Sequence, residues 1–136
     1  IGIVSSLEMP TAKERTLPYL ISALFYIFTY FLFRQIDFPL LYLTIFKAAT
    51  IVVILLMLFS LAGSKISAHL AGMGGICGMI FMIAVILNID MSVLLIFFVL
   101  LSGFVASSRY ALKAHSFKEL LIGFCLGFGM QLIVLY

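Results

Sequence analysis

Residues 40–62 read LLYLTIFKAATIVVILLMLFSLA, an apolar run in which Lys47 is the only charged residue. About 20 apolar residues are enough for an α-helix to cross a hydrocarbon core of about 30 Å. The runs between the other charged residues are also apolar all round rather than alternating with period two, which excludes a transmembrane β-barrel. We therefore predict an all-α, polytopic bundle in one domain, residues 1–136, with five spans: 17–33, 40–62, 70–87, 91–106 and 120–136. The fourth is somewhat short, as an angled or partly recessed helix can be.

The overall composition indicates the same class of protein. Of the 136 residues, 65% are hydrophobic and 10% are charged, whereas a soluble domain carries about 25% charged residues. Soluble enzymes and disordered regulators are therefore excluded. The net charge of +3 is spread over an apolar chain and forms no basic stripe of the kind that nucleic acids require. We expect the lipid bilayer, and not a nucleic acid, as the partner.

Two pairs of glycines indicate how the spans pack. Gly74 and Gly78 are four residues apart, and so are Gly123 and Gly127. Small residues at this spacing let helix backbones approach closely in a membrane, where lipid supplies no hydrophobic drive for association. We expect these glycines to pack the third span against its neighbours, with close approach to a ligand as the alternative.

Most of the polar residues are expected at one end of the bundle. Successive spans reverse direction, so residues 8–18 (EMPTAKERTLP), 63–69 (GSKISAH) and 107–119 (SSRYALKAHSFKE) return to the same side of the membrane. The positive-inside rule explains basic loops on one side, but it does not explain why both histidines lie there. This end receives both histidines and nine charged residues: Glu8, Lys13, Glu14, Arg15, Lys65, Arg109, Lys113, Lys118 and Glu119.

The spacing of these polar residues favours phosphate chemistry. Glu119 follows His115 by one helical turn, so its carboxylate can accept the imidazole N–H and leave the other ring nitrogen free as a nucleophile. Ser67 is placed to cap the third span, whose N-terminus is an anion site. Arg109 and Lys65 supply positive charge for phosphate oxygens. Together with His69 as an acid, these groups predict phosphoryl transfer through a phosphohistidine, with no metal and no cofactor.

The strings that carry these residues resemble signatures of the type 2 phosphatidic acid phosphatase superfamily, membrane lipid phosphatases related in fold to the vanadium haloperoxidases. The third signature, S-R-x5-H-x3-D, is matched by SRYALKAHSFKE at 108–119, with Glu119 in place of Asp. The second, P-S-G-H, is matched by ISAH at 66–69, where Ile66 and Ala68 replace Pro and Gly. The resemblance covers residues 65–127.

The resemblance implies a role for each matching residue. His115 would attack phosphorus, Glu119 would orient it, and His69 would protonate the leaving oxygen. Arg109, Ser67 and the Ala68 backbone would hold phosphate oxygens. The substrate would be a membrane lipid with a phosphate headgroup or a polyprenyl diphosphate. The site would face outward from a bacterial inner membrane. The family core has six spans, so we expect an upstream span before Ile1.

The first signature, K-x6-R-P, has no match before ISAH, and residues 63–66 are too few to contain one. Two replacements are open. Lys65 could supply the missing cation locally, or Lys13 and Arg15, in the string KERTLP, could fold over the site from the same side.

Two other classes of function compete with a phosphatase. A catalytically degenerate member of the same fold would bind lipid or act as a scaffold, and the missing first signature favours it. A haem protein could use two histidines from neighbouring spans as axial ligands, although the adjacent Arg109 and Glu119 argue against it.

Overall fold

The computed structural model describes residues 13–136. A short 3-10 turn, Lys13–Arg15, leads into five α-helices. All five are long and apolar enough to cross a membrane, which confirms the predicted all-α bundle. They are α1 (Thr16–Gln35), α2 (Leu40–Leu61), α3 (Ala68–Leu87), α4 (Ser92–Ala111) and α5 (Phe117–Leu135).

The fourth helix is longer than predicted. The apolar run ends at residue 106, but α4 continues through Ser107, Ser108 and Arg109 to Ala111 and contains 20 residues. A helix that ends at the membrane surface keeps polar residues in its last turn, because a long side chain such as Arg109 reaches water from there. The prediction of a short fourth span was therefore wrong.

The bundle is built around the contact between α3 and α5. The α2 helix packs on α5, α1 packs on α2, and α4 packs on α3, which gives the spatial order α1, α2, α5, α3, α4. Large apolar side chains on the outer helices stay exposed, among them Phe25, Val93 and Phe104. A surface of this kind is suited to lipid and not to water.

Glycines make the contact between α3 and α5 possible. A Cβ atom on Gly78 would lie 2.7 Å from the Phe128 carbonyl oxygen, and one on Gly123 would lie 2.5 Å from the Ser67 carbonyl oxygen. A Cβ on Gly74 or Gly127 would overlap backbone atoms of the facing helix. The expected packing role of all four glycines is confirmed, since no side chain fits between the two backbones.

We predict that Gly127→Ala destabilises the bundle, because the added methyl would overlap the Ala71 carbonyl oxygen. The expected loss is about 1–3 kcal/mol, as for overpacked cores. Gly129→Ala is the matched control, since it lies on the same helix and a Cβ there meets nothing within 4 Å. Unfolding in detergent, followed by circular dichroism, measures both variants. Equal stability of the two variants would contradict the packing described here.

Candidate active site

Four segments meet at one end of the bundle: the 3-10 turn before α1, the start of α3, the end of α4 and the start of α5. The Ser67 N–H, just before α3, donates to the Glu119 carbonyl in the first turn of α5 over 3.3 Å. The Arg15 side chain reaches His115, and the Arg109 side chain reaches His69. Both histidines therefore lie at one end of the bundle, as the alternating direction of the spans predicts. Arg15, Arg109 and Glu119 lie there with them.

The carboxylate of Glu119 is fixed by the start of α5. Ser116 caps this helix, its hydroxyl accepting from the Glu119 N–H, while the Ser116 N–H donates to Glu119 Oε2 over 3.0 Å. Both bonds form a capping box, which satisfies two backbone donors at once. The same Oε2 lies 3.1 Å from His115 Nδ1. The predicted pairing of Glu119 with His115 is therefore present, and the helix cap holds the carboxylate in place.

The contacts of His115 define its tautomer. Its Nδ1 lies 3.0 Å from the Lys65 carbonyl oxygen as well as 3.1 Å from Glu119 Oε2, and both oxygens can only accept. Its Nε2 lies 3.0 Å from Arg15 Nη1, and a guanidinium can only donate. The proton is therefore assigned to Nδ1, and the lone pair on Nε2 accepts from Arg15. Nε2 is the nitrogen available as a nucleophile.

Burial and Arg15 together favour the neutral form of His115. The residue is only 7% exposed, and this burial is the main reason that its pKa lies below the ordinary value of 6.5. The positive charge of Arg15 lowers the pKa further, while Glu119 and the Lys65 carbonyl oppose both effects without cancelling them. At neutral pH Nε2 of the imidazole stays unprotonated, as a nucleophile requires.

His69 and Arg109 form a second pair of the same kind. His69, in the first turn of α3, is exposed, and its Nε2 lies 2.6 Å from Arg109 Nη2 in the last turn of α4. Because the guanidinium donates, Nε2 of His69 accepts. The positive charges of both Arg109 and Arg15 interact electrostatically with the His69 imidazole. Each histidine at this end of the bundle thus has its Nε2 held by an arginine.

The remaining predicted residues contribute unequally. Ser67 does cap α3, since its hydroxyl accepts from the Leu70 N–H over 3.4 Å, but it is fully buried. Ala68 is the first residue of α3 and is half-buried. Lys65 contributes its backbone carbonyl oxygen, which accepts a hydrogen bond from His115 Nδ1. The side chain of Lys13 lies outside the described part of the structure. Of the two open replacements for the missing cation, Arg15 is the one that contacts His115.

Two supports of the site were not predicted. Tyr19 forms a hydrogen bond with Arg15 and packs against the core cluster that contains Ile66. Thr16 Oγ1 and Ser60 Oγ, 2.9 Å apart, link the start of α1 to the end of α2. Only the contact of Tyr19 with Arg15 could have been predicted from the sequence. Tyr19 follows Arg15 by one helical turn, and this spacing places both side chains on one face of the helix.

Comparison of the chain with protein-family models, curated proteins and solved structures gives no match. The chemistry of the site therefore rests on its geometry. That geometry combines an oriented neutral imidazole, a second imidazole and two guanidinium groups, which can bind an anion and transfer a group from it.

We predict that Arg15→Gln raises the pKa of His115, because the substitution removes a positive charge that opposes protonation. Titration of the imidazole by ¹⁵N NMR in detergent micelles measures the change. Arg34→Gln is the matched control, since Arg34 lies at the opposite end of α1. An unchanged or lowered pKa in Arg15→Gln would contradict the contact between Arg15 and His115.

Proposed function

We propose that this chain is an integral membrane phosphatase that hydrolyses a lipid phosphate or a polyprenyl diphosphate without a metal ion. The observation that carries the proposal is the state of His115: Nδ1–H is held by Glu119 and the Lys65 carbonyl, and Nε2 offers its lone pair beside Arg15. The resemblance of residues 108–119 to the third signature of the type 2 phosphatidic acid phosphatases supports the same reaction.

In the first step, the substrate phosphate would take the hydrogen bonds that Arg15 and Arg109 give to the imidazoles. Nε2 of His115 then attacks phosphorus, and the bond from phosphorus to the leaving oxygen breaks. His69, released from Arg109 and protonated by a proton from solvent, gives this proton to that oxygen. Glu119 stabilises the positive charge that develops on His115. The two guanidinium groups stabilise the negative charge on the phosphoryl oxygens, where preorganised donors act most strongly.

In the second step, water would attack the phosphorus of the phosphohistidine. Neutral His69 accepts the proton of this water, the bond between phosphorus and Nε2 breaks, and His115 returns to its starting tautomer. Inorganic phosphate leaves, His69 releases the proton to solvent, and Arg15 and Arg109 return to the two imidazoles. Covalent catalysis of this kind divides one difficult displacement into two easier ones.

Arg15 supports retained catalysis despite the missing first signature. The family uses that signature to bring cations to the phosphate, and here Arg15 lies 3.0 Å from the nucleophilic nitrogen. Glu119 keeps the charge of the usual Asp and reaches Nδ1 at 3.1 Å. A degenerate, noncatalytic member of the fold would have no need of both contacts.

The position of the site supports a lipid substrate. His69 and Arg109 lie in the end turns of membrane-spanning helices, where a headgroup can reach them while its chain stays in the bilayer. We place the protein in a bacterial inner membrane with the site facing outward, as in the bacterial proteins whose signatures it resembles.

We expect purified protein to release inorganic phosphate from phosphatidic acid in the presence of EDTA, and His115→Ala to lower this rate by roughly 10³-fold or more, because the nucleophile is lost. Arg34→Gln, at the opposite end of α1, should keep full activity. Vanadate should inhibit by occupying the phosphate site. Full activity in His115→Ala would refute the proposed nucleophile. If the wild-type protein releases no phosphate from this lipid or from a polyprenyl diphosphate, the phosphatase proposal is refuted and a noncatalytic lipid-binding or scaffold function is favoured.

The pH dependence of kcat/KM should report the protonation of His115. The pKa of this group lies below 6.5, so the acid-side fall in kcat/KM should occur as pH decreases through that lower pKa. In Arg15→Gln this fall should begin at higher pH, because the pKa rises when the guanidinium is removed. A fall that begins at the same pH in both proteins would show that His115 does not control the acid side of the profile.

A further inference from the structure

An apolar cleft of about 170 Å³ opens between α4 and α5, with α3 as its floor. It exists because α4 and α5 each pack mainly on α3. The side chains along its α4 wall are small, whereas those along its α5 wall are large. The main lining residues are Gly103 and Ala106 on α4, and Phe117, Leu120, Leu121 and Phe124 on α5.

Gly103 keeps the middle of the cleft open. A Cβ atom built on this glycine would meet no atom within 4 Å, although neighbouring residues line the cleft on both sides. The adjacent Ser102 does not make the cleft polar, since its hydroxyl donates to the Phe98 carbonyl of its own helix over 2.7 Å. Neither a side chain at Gly103 nor an unpaired hydroxyl at Ser102 therefore obstructs a hydrocarbon chain at these two positions.

The cleft lies at the same end of the helices as the candidate active site, although His69, Arg109, His115 and Glu119 do not line it. Ala106 lies one helical turn before Arg109, and Leu70, at the floor of the cleft, directly follows His69. On α5, Leu120 directly follows Glu119. The same end of the bundle therefore carries two guanidinium groups and an apolar cleft that begins one helical turn from Arg109.

We propose that this cleft binds one alkyl or prenyl chain of the phosphorylated substrate, with Gly103 and Ala106 as residues that determine chain specificity. The inference rests on the proposed function for the position of the headgroup. An occupant with an anionic head and an apolar chain matches both halves of this surface, positive at the end of the bundle and apolar along α4 and α5. Large side chains at either position would exclude the chain without touching the residues that react.

The first test compares kcat/KM for monoalkyl phosphates from butyl to dodecyl with that for phenyl phosphate, which has no chain. The wild-type protein should prefer the longer chains. Gly103→Leu should lose about tenfold or more on dodecyl phosphate, the scale on which an apolar pocket discriminates by size, and should keep its activity on phenyl phosphate. Gly129→Leu is the matched control, because a Cβ there also meets open space.

The second test measures chain binding without catalysis. The chain contains no Trp, so single-Trp variants report on one position each. Phe124 lines the cleft and Phe104 does not, yet each lies seven residues from the site end of its helix and so at a similar depth. Brominated dodecyl phosphate, at a low mole fraction in detergent, should quench Phe124→Trp and leave Phe104→Trp nearly unchanged, whereas brominated dodecanol should show no such difference.

The two tests separate the two proposals. Selective quenching of Phe124→Trp with no hydrolysis of any phosphate would refute the phosphatase and retain the cleft as a chain-binding site. Hydrolysis with equal quenching at both positions, and with the same chain-length profile in Gly103→Leu and the wild-type protein, would refute the cleft and retain the phosphatase.

Discussion

The candidate active site depends on how closely the backbones of α3 and α5 approach each other. Gly123 leaves room for the Ser67 carbonyl oxygen, and Ser67 in turn donates its N–H to the Glu119 carbonyl. This approach brings the Lys65 carbonyl and the Glu119 carboxylate to the same nitrogen of His115. Small residues are the usual means of close helix association in a membrane. Here they also set the orientation of an imidazole at the membrane surface.

A second constraint is electrostatic. Two guanidinium groups at the rim of a membrane bundle carry charge that must be matched, and in the described residues each lies against the unprotonated nitrogen of a histidine. An imidazole satisfies only one donor of the several that a guanidinium offers. Because a guanidinium has several donors and a positive charge, the same groups are suited to an anion with several acceptor oxygens. The chemistry proposed for the site follows from this difference in hydrogen-bonding capacity.

Local patterns predicted much of the fold and part of the site. The five apolar runs gave five helices, the one-turn spacing of His115 and Glu119 gave their contact, and Ser67 was correctly expected as a cap. Helix ends were less predictable, because polar residues such as Arg109 extend a helix beyond its apolar run. Arg15 and His115 are 100 residues apart in the sequence. No local pattern could therefore show that Arg15, and not Lys65, is the cation beside His115. The Lys65 carbonyl is a backbone group, which side-chain motifs do not reveal.

The most direct test is ¹⁵N NMR of the two histidines, before and after addition of vanadate. Without vanadate at pH 7.5, His115 should carry its proton on Nδ1 and have an unprotonated Nε2; His69→Gln assigns the signals. Vanadate should then change the Nε2 signals of both imidazoles with a single dissociation constant, because one anion takes the hydrogen bonds of both arginines. A proton on Nε2 of His115 in the free protein, or a response from only one imidazole, would contradict a single anion site built from the two pairs.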